Sequence, residues 1–254
     1  MKNIGIIVAM DEEREEIINL MKDAIVEQVY NLRFLKGTIE GKQCILIKCG
    51  VGKVNAARAT QVMLDHFKVD YVINIGVAGS LNSLLDIGDV VIAKKVIQHD
   101  FDITAFGHSK GYITGVGDFV ECDPELIEEF SEVLENMPEK NYKIKMGIVA
   151  TGDIFCTEPW MKDKIRAKFN ADVVDMECAA IGQVCYLNEK PFIAIRSISD
   201  SPNGDNVKVY DNNIKFASKR CANVLKEILI WWNGDVLFCT KICKVTCPYF
   251  IEFI

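Results

Sequence analysis

Short, almost uninterrupted apolar runs recur along the chain and constrain its fold more than any other feature. Such runs are typical of strands that are buried on both faces of a sheet. There are seven, at residues 4–9, 44–49, 71–75, 90–93, 146–150, 173–174 and 192–195. Segments with helical periodicity lie between several of them, at 11–21, 53–67, 124–134, 177–186 and 211–232. This alternation predicts an α/β domain with a mixed, mostly parallel central β-sheet flanked by helices.

The predicted domain occupies residues 1–232, which no internal repeat or low-complexity linker interrupts. After Gly234 the sequence changes to a tail rich in Cys, Phe and Ile. We expect residues 233–254 to form an appendage of unknown role, packed on the surface or poorly ordered, because they follow an apparently complete terminal helix.

The charge of the chain argues against a polymeric partner. Its 254 residues include 29 basic and 36 acidic side chains, for a net charge of -7, and no stretch concentrates Lys and Arg. Nucleic-acid surfaces need clustered cations, so small molecules are the expected partners. No segment supplies the roughly 20 apolar residues of a membrane span. The first strand runs directly into Asp11 without a signal cleavage region, which predicts a cytoplasmic protein with no membrane partner.

Cysteines and histidines give no sign of a metal site. Most of the ten cysteines, such as Cys44 and Cys178, lie in apolar segments, and we expect free buried thiols there. Three cysteines of the tail share a helical spacing, but neither a CxxC pair nor a nearby His completes a zinc site. The acidic segment after His99 also lacks ligand spacing and is expected at the surface. We predict no metal and no cofactor.

Three carboxylates follow predicted strands. They are Glu13, Glu177 and Asp200. Ligands of open α/β sheets bind beyond the carboxyl ends of the strands, where these acids could converge. Paired acids can break a glycosidic bond, because one protonates the leaving group and another orients or deprotonates water. Each acid alone fits helix capping better, so the residues by themselves indicate only an α/β enzyme acting on a small ligand.

Two glycine turns also follow predicted strands, at residues 50–53 and 76–80. The first is not a Walker loop, because Ile47 stands where a glycine is required, and it is not a dinucleotide fingerprint, because Asn55 replaces the last glycine. Tight glycine turns can still bring the backbone close to a small ligand.

Seven blocks of sequence carry a resemblance to a known family. They are IGIIVAMDEE (4–13), GVGKVNA (50–56), NIGVAG (74–79), HDFDITAFG (99–107), TGDIF (151–155), VDME (174–177) and RSISD (196–200). In this order they resemble the 5′-methylthioadenosine/S-adenosylhomocysteine nucleosidases of the purine nucleoside phosphorylase superfamily. The resemblance implies a nucleoside phosphorylase-like fold and hydrolysis of the N-glycosidic bond of those two nucleosides, in methionine salvage and methyl-cycle detoxification.

The resemblance also implies three catalytic residues. Asp200 would give a proton to purine N7, so that adenine leaves as a neutral base. Glu13 would hold and activate the attacking water, and Arg196 would assist Glu13 as its partner. Met176 and Glu177 would grip the ribose, which fixes the sugar as charge develops on its anomeric carbon.

The remaining positions implied by the resemblance surround the base and the 5′ arm. Phe155 would lie against the adenine ring, with backbone groups of Cys156 and the side chains of Ser199 and Asp200 at its edge. The full set of further substrate contacts is Gly79, Met10, Val51, Ile103, Phe106 and Tyr210, the last five of them on the alkylthio arm. In the family the segment that carries Ile103 and Phe106 comes from a neighbouring subunit, which implies a homodimer.

Two positions depart from the family pattern. Val77 stands where many relatives have a Ser that contacts the water, and Tyr210 stands where a Phe is common. The Tyr210 hydroxyl could tune the preference among substrates.

Three alternatives remain at this point. A phosphorylase on the same fold is disfavoured, because the acidic cluster 11–13 would repel phosphate. A nucleosidase for adenine-containing futalosine nucleosides would share the catalytic residues and differ in the 5′ pocket. A sensor that kept the fold but lost catalysis is the third, and the intact set of Glu13, Glu177 and Asp200 argues against it.

Overall fold

All seven predicted strands are present in the computed structural model, which describes residues 2–137, 140–202 and 206–232. The strands are β1 (Asn3–Val8), β2 (Lys22–Val29), β3 (Leu32–Ile39), β4 (Lys42–Lys48), β5 (Tyr71–Ser80), β6 (Val90–Gln98), β7 (Val120–Glu121), β8 (Ile144–Thr151), β9 (Val173–Asp175) and β10 (Phe192–Asp200). The helices are α1 (Asp11–Ile18), α2 (Lys53–His66), α3 (Pro124–Glu135), α4 (Pro159–Phe169), α5 (Cys178–Leu187) and α6 (Asn206–Trp231), with a 3-10 turn at Thr104–Phe106. The predicted tail, 233–254, lies outside the described residues.

The central sheet is mixed and partly closed. Strands β5, β10, β6, β8 and β9 form a ring, because β10 pairs with both β5 and β6. Strands β1, β4, β3 and β2 extend from β5 in that order. Five of the strand pairings are parallel and five antiparallel. The expectation of a mostly parallel sheet is therefore wrong, whereas that of a mixed sheet flanked by helices is confirmed.

Among the elements that the sequence did not predict, β2, β3 and α4 were missed for physical reasons. Strand β2 is almost wholly exposed, and its longest apolar run is limited to Ala24, Ile25 and Val26. Strand β3 pairs with β2 and β4, and polar residues and a glycine interrupt its buried apolar residues. Helix α4 begins at Pro159, a usual first helical residue, but its inward face includes the buried cation Lys162. That lysine interrupts the apolar periodicity by which a helix is recognised.

Two apolar layers cover the sheet. Alternate residues of β1 enter opposite layers: Ile7 packs with residues of α2 and α5, and Ile6 with residues of α1, α3 and α6. Burial of each such side chain contributes on the order of 2 kcal/mol. The seven described cysteines are free and buried, as expected. In the described ranges, no helix is both long and apolar enough to cross a bilayer.

The topology brings three strand ends to one place. Strands β1 and β10 are both parallel to β5, so their carboxyl ends lie at the same edge of the sheet. Beyond that edge lie the start of α1, the glycine-rich end of β5 and Asp200 at the end of β10. This is the position where ligands bind in α/β proteins.

Candidate active site

A cavity of about 460 Å³ opens at this edge of the sheet. Its volume is in the range that holds a nucleoside-sized molecule. Ten of the predicted site residues line it: Met10, Glu13, Val51, Gly79, Phe155, Met176, Glu177, Ser199, Asp200 and Tyr210. Sequence reasoning had assigned no contact to the other lining residues, which are Ala9, Val77, Ala78, Val174, Asp175, Val207 and Asp211.

Glu13 is held by the main chain at the start of α1. One carboxylate oxygen accepts hydrogen bonds from the backbone N–H groups of Ala9 at 2.8 Å and Met10 at 3.1 Å. The other oxygen accepts the N–H of Val77 at 2.9 Å. Burial raises the pKa of Glu13, and the charge of Arg196 and the three N–H groups oppose that rise. Glu13 thus caps the helix and is also fixed in the cavity wall.

Two glycines of β5 make room for the acids. A Cβ at Gly76 would lie 2.3 Å from Glu13 Oε1, which is closer than real Cβ atoms approach other atoms. A Cβ at Gly79 would lie 2.9 Å from Asp200 Oδ2. The second predicted glycine turn is therefore the end of strand β5, and its glycines allow close approach of the backbone to the two carboxylates.

Asp200 is held by side chains. It is only 2% exposed, and Ser199 Oγ lies 2.9 Å from its Oδ1. The ammonium group of Lys162, itself 1% exposed, forms an ion pair with Oδ2. The same ammonium donates to the carbonyl oxygen of Ser201 at 2.8 Å. Sequence reasoning missed Lys162, since no strand end or motif marks it.

Arg196 has a different partner from the one expected. Its guanidinium lies 2.8 Å from Asp175 Oδ2 and also donates to the side chain of Asn74. Asp175 further accepts from Thr151 Oγ1 at 2.5 Å. Burial alone would raise the pKa of Asp175, but Arg196 and these hydrogen bonds outweigh it and lower the pKa. The expected direct pairing of Arg196 with Glu13 is wrong, although its charge still acts on that acid.

Glu177 lies at the start of α5, next to the first glycine turn. Its Oε1 accepts the backbone N–H of Gly52 at 2.9 Å. Burial raises the pKa of Glu177 to about 8, and the negative charge of Asp175 contributes in the same direction. A ligand that donates hydrogen bonds to this carboxylate would favour its ionised form.

The predicted base and 5′-arm contacts lie around the rest of the cavity. Phe155 and Tyr210 meet edge to face, with ring centroids 5.3 Å apart. The Tyr210 hydroxyl lies 2.9 Å from the Met10 sulfur. Cys156 lies in a small adjoining recess, which shares Phe155 and Asp200 with the main cavity. An aromatic ring beside a recess that contains the carboxylate of Asp200 suits a flat ligand with polar edges.

Ile103 and Phe106 are the predicted contacts that the structure does not bring to the cavity. Neither residue lines it in this protomer, and Phe106 is 82% exposed on the 3-10 turn.

A polar network anchors the first glycine turn beside the cavity. Lys53 forms a 2.6 Å ion pair with Asp100, and its backbone N–H donates to Asp153 at 2.8 Å. The backbone N–H of Asp153 in turn donates to Asp100 at 2.9 Å. His99, expected at the surface, is buried against Gly152. Within the described ranges, no group of His, Cys, Asp and Glu is arranged to hold a metal ion.

Comparison with known proteins agrees with this geometry. The profile of the phosphorylase superfamily matches residues 3–230. A 5′-methylthioadenosine/S-adenosylhomocysteine nucleosidase from Bacillus velezensis is 38% identical over 231 residues, covering 89% of this chain and 99% of its own. The chain belongs to this nucleosidase family.

Solved structures of this family and of a related hydrolase have the same fold. The family's nucleosidase from Neisseria meningitidis, in complex with methylthio-immucillin-A, is similar with a TM-score of 0.86 and 33% identity, over 91% of this chain and 99% of that one. A futalosine hydrolase from Helicobacter pylori is similar with a TM-score of 0.85 and 32% identity, over 90% of this chain and 97% of that one.

Proposed function

We propose that this protein hydrolyses the N-glycosidic bond of 5′-methylthioadenosine and S-adenosylhomocysteine. The products are adenine and either 5-methylthioribose or S-ribosylhomocysteine, the reaction of EC 3.2.2.9. The observation that carries the proposal is the meeting of Glu13, Glu177 and Asp200 in one cavity of a chain that belongs to the nucleosidase family. Three acids from distant parts of the sequence supply a proton donor, a water ligand and a ribose ligand.

In this proposal Asp200 is the general acid for the departing base. Its O–H bond breaks as a proton moves to N7, while the electron pair of the C1′–N9 bond moves into the purine. The burial of Asp200 supports this role, because a water-excluded site strengthens its interaction with N7. Phe155 and the recess at Cys156 would hold the base, and Ser199 would fix the orientation of the acid.

Glu13 is the proposed ligand and base for the attacking water. Its three backbone hydrogen bonds fix the carboxylate and leave about one lone-pair position, on Oε1, for a water molecule. Arg196 acts at longer range, since its positive charge favours the carboxylate form of Glu13. Glu177 and Met176 would grip the ribose, where the carboxylate accepts hydrogen bonds from the hydroxyl groups.

The charge of the cavity supports hydrolysis over phosphorolysis. Its described lining includes five carboxylates and neither Lys nor Arg. A phosphate dianion needs cations or several backbone donors, and the buried carboxylates would repel it. Neutral water carries no net charge, so these carboxylates would not repel it.

The experiment that tests this function uses the purified chain with 5′-methylthioadenosine in buffers with and without phosphate. Adenine release is followed by absorbance, and the sugar product is identified by mass. We expect free 5-methylthioribose at equal rates in both buffers. A strict need for phosphate with a 1-phosphorylated sugar would identify a phosphorylase, and binding without adenine release would identify a sensor.

The 5′ arm is the part of the substrate that could differ. Likeness to the Helicobacter pylori futalosine hydrolase favours a second candidate, an adenine nucleoside with a larger 5′ substituent. Met10, Val51 and Tyr210 give the described part of this region an apolar wall that suits an alkylthio group. Comparison of kcat/KM for methylthioadenosine, S-adenosylhomocysteine and aminodeoxyfutalosine separates the candidates.

The proposed active form is a homodimer in which Ile103 and Phe106 of one protomer reach the cavity of the other. The exposure of Phe106 supports this arrangement, because a large apolar side chain at that position is available to a partner. Sedimentation analysis gives the oligomeric state. Mixing Phe106→Asp with Asp200→Asn provides a sharper test: the heterodimer would regain one intact site, so activity should exceed that of either variant alone.

The tail and the location of the enzyme complete the proposal. The superfamily profile ends at residue 230, which supports a nucleosidase domain over 1–232 and a tail dispensable for chemistry. A chain stopped after Gly234 should keep its kcat, and a soluble, dimeric but inactive product would overturn this. We place the enzyme in the cytoplasm, in methionine salvage, and fractionation of the source cells tests that location.

A further inference from the structure

Lys162 is a fully buried lysine on the inward face of α4, which it shares with the buried Ile165. It lies in the first turn of the helix, and Trp160 and Lys164 on either side of it are exposed. Lysine is almost never fully buried unless it is paired. Its partner here is Asp200, the acid that the proposed function assigns to protonation of the base.

Lys162 contacts two adjacent residues, Asp200 and Ser201. Its ammonium group pairs with the carboxylate of Asp200 and donates to the carbonyl oxygen of Ser201, the next residue. The side chain and the main chain of the proposed acid are thereby tied to α4. On the other side, Gly79 leaves room for this carboxylate, because a Cβ there would lie 2.9 Å from Asp200 Oδ2.

We propose that Lys162 is a positioning residue for Asp200 in N-glycosidic hydrolysis, an inference that rests on the proposed function. It aims the carboxyl group at the base and stabilises the carboxylate that remains after the proton has left. In that step the Asp200 O–H bond breaks and the N7–H bond forms, and the new negative charge appears beside the ammonium group. Preorganised charge of this kind acts most strongly in a site without water.

Lys162→Met tests the inference, because methionine has a similar length and no charge. Lys164→Met is the matched control on an exposed position of the same helix. We expect Lys162→Met to lower kcat for methylthioadenosine by about 10- to 100-fold, part of what a general acid contributes, with KM changed less than about threefold. The control should stay within about twofold of the wild type.

A second substrate separates positioning from a merely structural role. A 4-nitrophenyl 5-methylthioriboside has a leaving group that departs as a stable anion and needs no proton at N7. Lys162→Met should therefore hydrolyse it at nearly the wild-type rate. Asp200→Asn should behave alike, and the double variant should be no slower on methylthioadenosine than Asp200→Asn alone, because the lysine acts through the acid.

The outcomes distinguish this inference from the proposed function. If the wild type releases no adenine, the function itself is wrong. If the wild type is active and Lys162→Met matches it, or loses activity equally on both substrates, the positioning role is wrong. If Lys162→Met does not fold, Lys162→Arg keeps a cation and should lose activity selectively on methylthioadenosine; equal loss on both substrates again overturns the inference.

Discussion

Glu13 and Asp200 are buried in the same cavity but are held by different kinds of group. Glu13 accepts hydrogen bonds from three backbone N–H groups, whose positions are set by β1, α1 and β5. Asp200 is held by the side chains of Ser199 and Lys162. Side-chain substitution can therefore remove the partners of Asp200 one by one, whereas it leaves the three backbone N–H groups that bind Glu13 in place.

Asp200→Asn should lower kcat more than any other substitution considered below, and it changes the acid that is held by side chains. The amide keeps the shape but cannot protonate N7, so kcat should fall by about 100- to 10,000-fold while the substrate still binds. Stopped assays of adenine release give kcat, and equilibrium dialysis gives affinity. Asp86→Asn, in an exposed ion pair, is the matched control and should be silent. A rate above about a tenth of wild type would remove Asp200 from the role of acid.

Gly76→Ala should have the next largest effect on kcat, and it acts on Glu13, the acid that is held by backbone groups. The new Cβ would lie 2.3 Å from Glu13 Oε1, so the carboxylate must shift and kcat should fall by about 10- to 100-fold. Gly182→Ala is the matched control, because its Cβ would meet Phe192 and Val96 at 2.9 Å, in the core. Both substitutions should cost about 1–3 kcal/mol of unfolding free energy. If kcat falls equally in the two variants, Glu13 is not the sensitive group.

The difference between main-chain and side-chain partners also explains which parts of the site the sequence could predict. The acids at strand ends and the glycines at the end of β5 follow from chain order alone, because the topological rule for ligand sites uses only strand ends. The ion pairs of Arg196 with Asp175 and of Lys162 with Asp200 join distant elements across the fold. No spacing in a single sequence specifies such partners, so Arg196 was assigned to Glu13 and Lys162 was missed.

The fold prediction had a similar limit. Strands buried on both faces were found because they are continuously apolar. The exposed hairpin strand β2 and the closure of β10 onto both β5 and β6 were not, since closure depends on pairing between strands remote in sequence. Patterns within a segment predict elements, and contacts between segments require the structure.

A smaller effect is expected at the third acid, Glu177, which accepts one backbone N–H and should make substrate affinity depend on pH. The folded-state pKa of Glu177, about 8, is above the usual carboxyl value, so the protonated form predominates at neutral pH. Between pH 4.5 and about 8 the unfolded chain loses this proton and the folded chain keeps it, so the free energy of unfolding falls as pH rises through that window. The ribose hydroxyls need the carboxylate, so affinity should rise about tenfold between pH 7 and pH 9. Titration calorimetry with a non-hydrolysable analogue measures this.

Glu177→Gln is the variant that checks the pH prediction. The amide does not titrate in this range, so its affinity should be lower at pH 9 and should change little between pH 7 and pH 9. The loss should be smaller for a 2′-deoxy substrate, which lacks one hydroxyl partner. An unchanged pH slope in this variant would assign the titration to another group.

Val77→Ser should change kcat least. It tests whether the backbone hydrogen bonds to Glu13 are sufficient to hold the attacking water in place. The side chain of Val77 lines the cavity, while its N–H already donates to Glu13 Oε1 at 2.9 Å. A serine would keep that N–H and add a hydroxyl that can reach the water, so one further hydrogen bond to an already fixed carboxylate site should change kcat by less than about threefold. Steady-state kinetics on methylthioadenosine at saturating substrate measures it. A gain of tenfold or more would mean that the water in the wild type is poorly held, and that the main-chain contacts fix Glu13 without fixing the nucleophile.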